Sequence, residues 1–250
     1  MKKHRLSLIV LLALIACGAA LAVLPARWIM AAVPASWPLA VVDANGTIWS
    51  GSATIAIGPP SRRRSLPDPL DWRLSLVGGP KLHLAHPWLG GPLIVSAGWR
   101  GVGISAQTLR LPASALGTLD ARVAAVDPGG DLSIKWPATF IGAAKRPSGT
   151  VLLDAQWRNA VSALTPIRPL GDYDLALKQA AENRIDVVLS TRNGPLMLTG
   201  AGALEGGNRF SFEGTAQADP AAGSEIHAAL RDLLAALGPR RNNQTLLRFR

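Results

Sequence analysis

The chain has 250 residues, 48% of them hydrophobic and only 17% charged, with one cysteine and a formal net charge of +10. Cys17 lies in an apolar run near the N-terminus, which excludes a disulfide framework or a thiolate metal centre from the remainder; that part must be held by burial alone. The basic balance admits an anionic lipid surface or an acidic partner, whereas the scattered cations and an exported domain leave no place for nucleic acid.

Met1 to Arg5 is a basic cap carrying Lys2, Lys3 and Arg5, and Leu6 to Leu24 follows without a charged side chain. At about 1.5 Å per residue, a helix of that length just crosses a hydrocarbon core of roughly 30 Å. The cations precede the run and only Arg27 follows closely, so the N-terminus is expected in the cytoplasm and the rest of the chain in the periplasm. Two other readings compete. Ala20-Leu21-Ala22 suits signal-peptide cleavage, and Leu14-Ile15-Ala16-Cys17 resembles a lipobox with Cys17 as the lipidated residue. The apolar run continues past both sites, with Trp28 and Trp37 suited to the membrane interface, which favours an uncleaved anchor. The expected organisation is a cytoplasmic cap (1–5), a transmembrane helix (6–24), a membrane-proximal linker (25–40) and a periplasmic β-rich domain (41–250).

Beyond Trp37 the recurring signal is alternation with period two. Trp72-Arg73-Leu74-Ser75-Leu76, Leu132-Ser133-Ile134-Lys135-Trp136, Tyr173 to Lys178, Ile185-Asp186-Val187 and Phe210-Ser211-Phe212-Glu213 each place apolar and polar residues on opposite faces. Asn45-Gly46, Gly78-Gly79-Pro80, Asp127-Pro128-Gly129-Gly130, Asn193-Gly194 and Gly206-Gly207-Asn208 supply turns between them. The pattern predicts a mainly β fold of ten or so short strands. The sheet is antiparallel and curved, sandwich-like or a half-barrel, with one C-terminal amphipathic helix. Edge strands are expected at Thr47 to Thr54 and in the tail from Thr245. Gly46 to Ala53 and Ala97 to Gly103 echo one another as tryptophan-centred, glycine-flanked segments, without the fixed period of a true repeat. The helix is expected over Ser224 to Leu237, where Ile226, Leu230, Leu233, Leu234 and Leu237 share a face ahead of Gly238-Pro239.

No residue stands out as a catalyst. His83 and His86, three apart in a strand, point to opposite faces and do not readily chelate one metal. Nucleophile elbow, phosphate loop and zinc-helix patterns are lacking. No cofactor is expected. Trp72 and Trp136, in clean alternation, read as core. Trp88, in the loop His86-Pro87-Trp88-Leu89-Gly90, is a candidate for partner or lipid contact. Arg62, Arg63 and Arg64, in the proline-rich loop from Pro59 to Pro69, read plainly as a solvated loop, and functionally as a contact for an acidic partner or phospholipid head groups.

The anchor followed by Asn45-Gly46-Thr47-Ile48-Trp49-Ser50-Gly51-Ser52-Ala53 resembles the start of the type II secretion system protein N family. Pro169-Leu170-Gly171-Asp172-Tyr173-Asp174-Leu175, Leu198-Thr199-Gly200-Ala201-Gly202-Ala203-Leu204 and the leucine helix ending at Leu237-Gly238 agree in order. The resemblance implies a single-span inner-membrane protein with a periplasmic β domain. It would be a non-enzymatic accessory of the type II secretion machinery, whose partners are other inner-membrane components of that machinery and inner-membrane lipids. The alternative is a membrane-anchored, AsmA-like lipid-handling β-groove module or a lipoprotein.

Overall fold

The structure is a computed structural model and describes residues 12, 16–28, 34, 37, 39–60, 63–118, 121–142, 146–181, 183–206, 209–241 and 244–249. Residues 6–11 and 13–15 of the apolar run from Leu6 to Leu24 lie outside them, and residues 16–22 are helical. Among the described residues no helix is long and apolar enough to cross a membrane. The chain forms two compact units, Met1–His86 and Pro87–Arg250.

The first unit is an antiparallel sheet ordered β1 (Leu39–Gly46), β2 (Ser50–Ile57), β4 (Leu70–Ser75) and β5 (Lys81–Ala85), with the two-residue β3 (Arg64–Ser65) also paired to β2. Its core is Ala26, Ala53, Ile55 and Trp72, with Val41, Leu70, Leu82 and Leu84 packed around them. Trp72 is buried as expected, and its indole N–H points at the carbonyls of Thr47 and Ile48, 3.2 Å from each. The large ring needs a bare neighbour: a Cβ on Gly51 would lie 2.7 Å from Trp72 Cζ2. The strand expected at the edge, Thr47 to Thr54, proves to be interior, because β2 pairs β1 on one side and β3 and β4 on the other. The edge is β1, whose register slips between Val41 and Asp43; that bulge breaks the period of two by which strands are recognised.

The second unit contains β6 (Leu93–Gly98), β7 (Gly101–Ile104) and β10 (Thr139–Gly142) as one antiparallel ladder. It also holds a nine-stranded antiparallel sheet, built on β8 (Gln107–Pro112), β9 (Gly129–Trp136), β11 (Val151–Val161), β12 (Gly171–Ala181), β13 (Arg184–Asn193), β14 (Leu196–Glu205), β15 (Arg209–Ala218), β16 (Arg240–Arg241) and β17 (Gln244–Phe249). Its order is β16-β17-β15-β14-β13-β12-β11-β9-β8, a linear path with no closure. Register gathers the apolar halves of the alternating strands on one face: Leu109 beside Ile134, Ile134 beside Ala155, Ala155 beside Leu175, Leu175 beside Leu189. The mainly β, antiparallel expectation holds. The strands are more numerous than the clean alternating runs because β6, β7 and β14 pair without that pattern.

Helices are few. The C-terminal one is divided into α2 (Ser224–Ala229) and α3 (Arg231–Leu237) instead of running unbroken. The cause is local: the hydroxyl of Thr165 donates to the carbonyl of Ala229 at 2.8 Å, inserting a side chain into the helical ladder. The apolar face still does what its spacing predicts. Leu230, Leu233 and Leu234 are buried against Tyr173, Leu196, Phe212, Ala216 and Leu247, with Ile226 and Leu237 flanking. Each such leucine contributes about 1.5–3 kcal/mol of gross burial. A short helical segment, a 3-10 turn at Ala113–Thr118 followed by α1 (Ala121–Val126), was not expected from the sequence; Ser162 Oγ ties it down by donating to the Val126 carbonyl at 2.5 Å. At six residues, α1 is too short for periodicity to reveal.

Candidate functional site

An open sheet concentrates its unsatisfied chemistry at its edges, where backbone N–H and C=O groups lack a neighbour. The nine-stranded sheet is blunted at both. Along β8, Arg110 N donates to Trp88 O at 2.7 Å and Gly90 N to Thr108 O at 2.8 Å, with a bridge between Leu89 and Leu109. At the other side β16 pairs the first residues of β17, and Leu246 N donates to Pro239 O at 2.9 Å. The tail is therefore a strand, as expected, but one partly covered at its edge.

Two edges are more open. Among the described residues β1 pairs with no strand but β2, and its outer side is interrupted by the bulge at Val42 and by Asp43, whose carboxylate accepts from Ala44 N at 2.9 Å and Asn45 Nδ2 at 3.1 Å. Both features discourage indiscriminate strand addition while leaving the row accessible. Among the described residues β10 pairs with no strand but β7, and Phe140 and Ile141 on it are exposed.

The residues singled out from sequence fall in separate units. Trp88, in the second, is fastened through its backbone to β8 and lines a concavity of about 490 Å³ with Arg110, Asp131, Lys135 and Arg158. In the first, Arg63 Nη2 donates to Trp37 O at 2.9 Å, and Arg64 stands exposed on β3 opposite Ile57. Arg62 lies outside the described residues. Trp136, read as core, is only half-buried; its indole N–H donates to Ser105 O at 3.1 Å.

Tyr173 was not singled out as more than an alternating apolar residue. It is buried, and its hydroxyl lies 2.9 Å from Leu196 O and 3.2 Å from Leu170 O. Burial pushes its pKa well above the ordinary tyrosine value, and the charge of neighbouring Asp172 adds to the rise. A neutral phenol of that kind is a structural tie between strands. Among the described residues no group of three or more His, Cys, Asp or Glu could hold a metal ion.

Also missed was the anchorage of the N-terminal segment. Trp49 Nε1 donates to Leu21 O at 2.8 Å, Ile48 N to Leu24 O at 3.0 Å and Ala26 N to Gly46 O at 3.0 Å, and Pro25 bridges Thr47. The end of the apolar run is thus bonded directly to the tip of the β1–β2 hairpin. Pairings between segments this far apart leave no local signature.

These features define a mainly β protein with open antiparallel sheets, whose accessible chemistry lies along strand edges and a hairpin tip. The chain belongs to the type II secretion system protein N family, whose model matches residues 38–250. It is accordingly an envelope-associated component of type II secretion, in a family of accessory components not known as enzymes, and membership implies contact with other parts of that machinery. No curated protein and no solved structure matches it.

Proposed function

We propose that the chain is a non-enzymatic accessory of the type II secretion machinery, held in the inner membrane by Leu6 to Leu24 with its N-terminus in the cytoplasm. Its β-rich part works in the periplasm through protein–protein contacts. The observation that carries the proposal is the bonding of Leu21, Leu24 and Ala26 to the β1–β2 hairpin. With Leu6 to Leu24 in lipid, it holds β1 beside the membrane, within reach of other membrane-bound subunits. Such tethering supplies an effective concentration near millimolar, so a modest contact along β1 suffices. An alkaline phosphatase fused behind Arg250 tests the topology and is expected to be active; an inactive fusion at normal expression overturns it. Mass spectrometry of the extracted protein is expected to retain residues 1–16, whereas a diacylglyceryl group on a new N-terminal Cys17 establishes a lipoprotein instead.

One observation favours the second reading, a lipid-handling β groove. Beyond the helix-covered cluster, the dry face of the nine-stranded sheet continues through Leu153, Leu175, Leu177, Ile185 and Leu204, all only half-buried. A photo-reactive residue at Leu175 that captures phospholipid in cells supports that reading; one that captures none removes its basis.

A further inference from the structure

The hairpin joining β6 to β7 is closed by two residues, Trp99 and Arg100, between the paired Gly98 and Gly101. Gly101 is required where it stands: its φ is +141°, and a Cβ there would lie 2.1 Å from the Ile141 carbonyl oxygen. The turn is therefore locked to β10, and it presents Trp99 to solvent with a relative exposure of 105%. The matching glycine-flanked tryptophan in the first unit, Trp49, is half-buried and hydrogen-bonded to Leu21, so full exposure is not a property of the motif.

Apolar exposure continues behind the tip on both faces of the ladder. Val102 and Ile141 are cross-strand neighbours on one face, 36% and 52% exposed; Phe140 is 49% exposed on the other. A contiguous exposed apolar group of this kind marks an interaction site. We infer that this tip inserts into the interface of an anionic phospholipid bilayer. A protein partner adding a strand to β10 would cover its backbone and one face. A hairpin entering a bilayer needs apolar side chains all round, with tryptophan at head-group depth. Arg100 beside Trp99, and Arg146, whose Nη2 lies 3.4 Å from Phe140 O, are placed to meet lipid phosphates. Insertion must be shallow, because among the described residues no strand pairs the outer side of β10, and backbone left without a strand partner cannot be taken into hydrocarbon.

The inference rests on the reading of an envelope protein beside a membrane, and its test separates the two. The full-length protein with Cys17→Ser and Trp99→Cys, labelled at position 99 with nitrobenzoxadiazole, is reconstituted in vesicles of phosphatidylethanolamine and phosphatidylglycerol. Its comparison carries the label at Ser190→Cys, an exposed position on β13. The label at 99 is expected to emit at shorter wavelength and to be quenched several-fold more strongly by brominated acyl chains than the label at 190, and Arg100→Glu is expected to reduce that quenching. Equal, water-like emission and quenching at 99 and 190 overturns the inference, as does a label at 99 that leaves water only on adding secretion proteins. Flotation of the same vesicles in alkaline carbonate reports the N-terminal anchor independently of the tip.

Discussion

The ring of Phe212 occupies the space that a side chain on Gly200 would need: a Cβ there would lie 2.4 Å from Phe212 Cζ. Gly202 and Gly214 complete the bare patch, with corresponding distances of 2.9 Å and 3.0 Å to the same ring. Three glycines on β14 and β15 thus form a cradle for one buried aromatic, and Phe249 packs against its other side with centroids 6.1 Å apart.

Gly200→Ala is therefore expected to destabilise the protein, since Gly214 Cα and Glu213 O also lie within 3.0 Å of the new methyl and cannot yield cheaply. Overpacking of this kind costs about 1–3 kcal/mol. Thermal unfolding followed by circular dichroism should show a fall in Tm of about 2–4 °C for each kcal/mol. An unchanged Tm would show that the cradle relaxes freely.

The glycines of that cradle were legible as a spacing, Gly200-Ala201-Gly202, but not as a packing device, because Phe212 arrives from another strand. The same limit runs through the molecule. Leu132 to Trp136 and Tyr173 to Lys178 announced themselves, since one face of each strand is wet and the other dry. β1 did not, because Val42 bulges out of the alternation. That Thr47 to Thr54 is interior while Trp99 is uncovered depends on pairings with distant segments, which periodicity cannot carry. Tryptophan ordinarily buries, so Trp99 gave no sign of standing in solvent. The leucine face of α2 and α3 was fully readable, whereas the break between them needed Thr165.

Thr165→Val is expected to cost about 1–3 kcal/mol, because the buried hydroxyl serves two backbone groups, donating to Ala229 O and accepting from Ile167 N at 3.3 Å. Thr165→Ser keeps the hydroxyl and should recover most of the loss. Chemical denaturation of both variants checks this, and a Thr165→Val protein as stable as the unaltered chain would show that the hydroxyl contributes nothing.

Tyr173 predicts a pH dependence. Its folded pKa is raised above the unfolded value of about 10. Stability from the neutral phenol is therefore fully present below pH 10 and is lost as pH rises above it, while the unfolded chain ionises first. Tyr173→Phe should cost about 0.5–1.5 kcal/mol at neutral pH through its lost hydrogen bond. The gap between the two proteins should narrow from pH 9 to pH 11. A gap constant across that range would mean that the phenol ionises equally in both states.

Trp72→Ala is expected to cost about 3–5 kcal/mol, the range for truncating a buried tryptophan. The loss includes its hydrogen bond to the Thr47–Ile48 turn and leaves Gly51 facing a cavity. Limited proteolysis should then cut within residues 39–85 at protease levels that spare the unaltered chain. Resistance equal to that of the unaltered chain would place Trp72 outside the stabilising core.

Contact through β1 is tested most directly by cross-linking in secreting cells, with a photo-reactive residue at Val42 or Asn45 and a comparison at Lys178, an exposed residue on interior strand β12. Both β1 positions are expected to yield adducts with other inner-membrane subunits of the secretion machinery, and Lys178 none. Adducts from Val42 and Asn45 to phospholipid alone, or no more protein adducts than from Lys178, would contradict a protein-contact role for this edge.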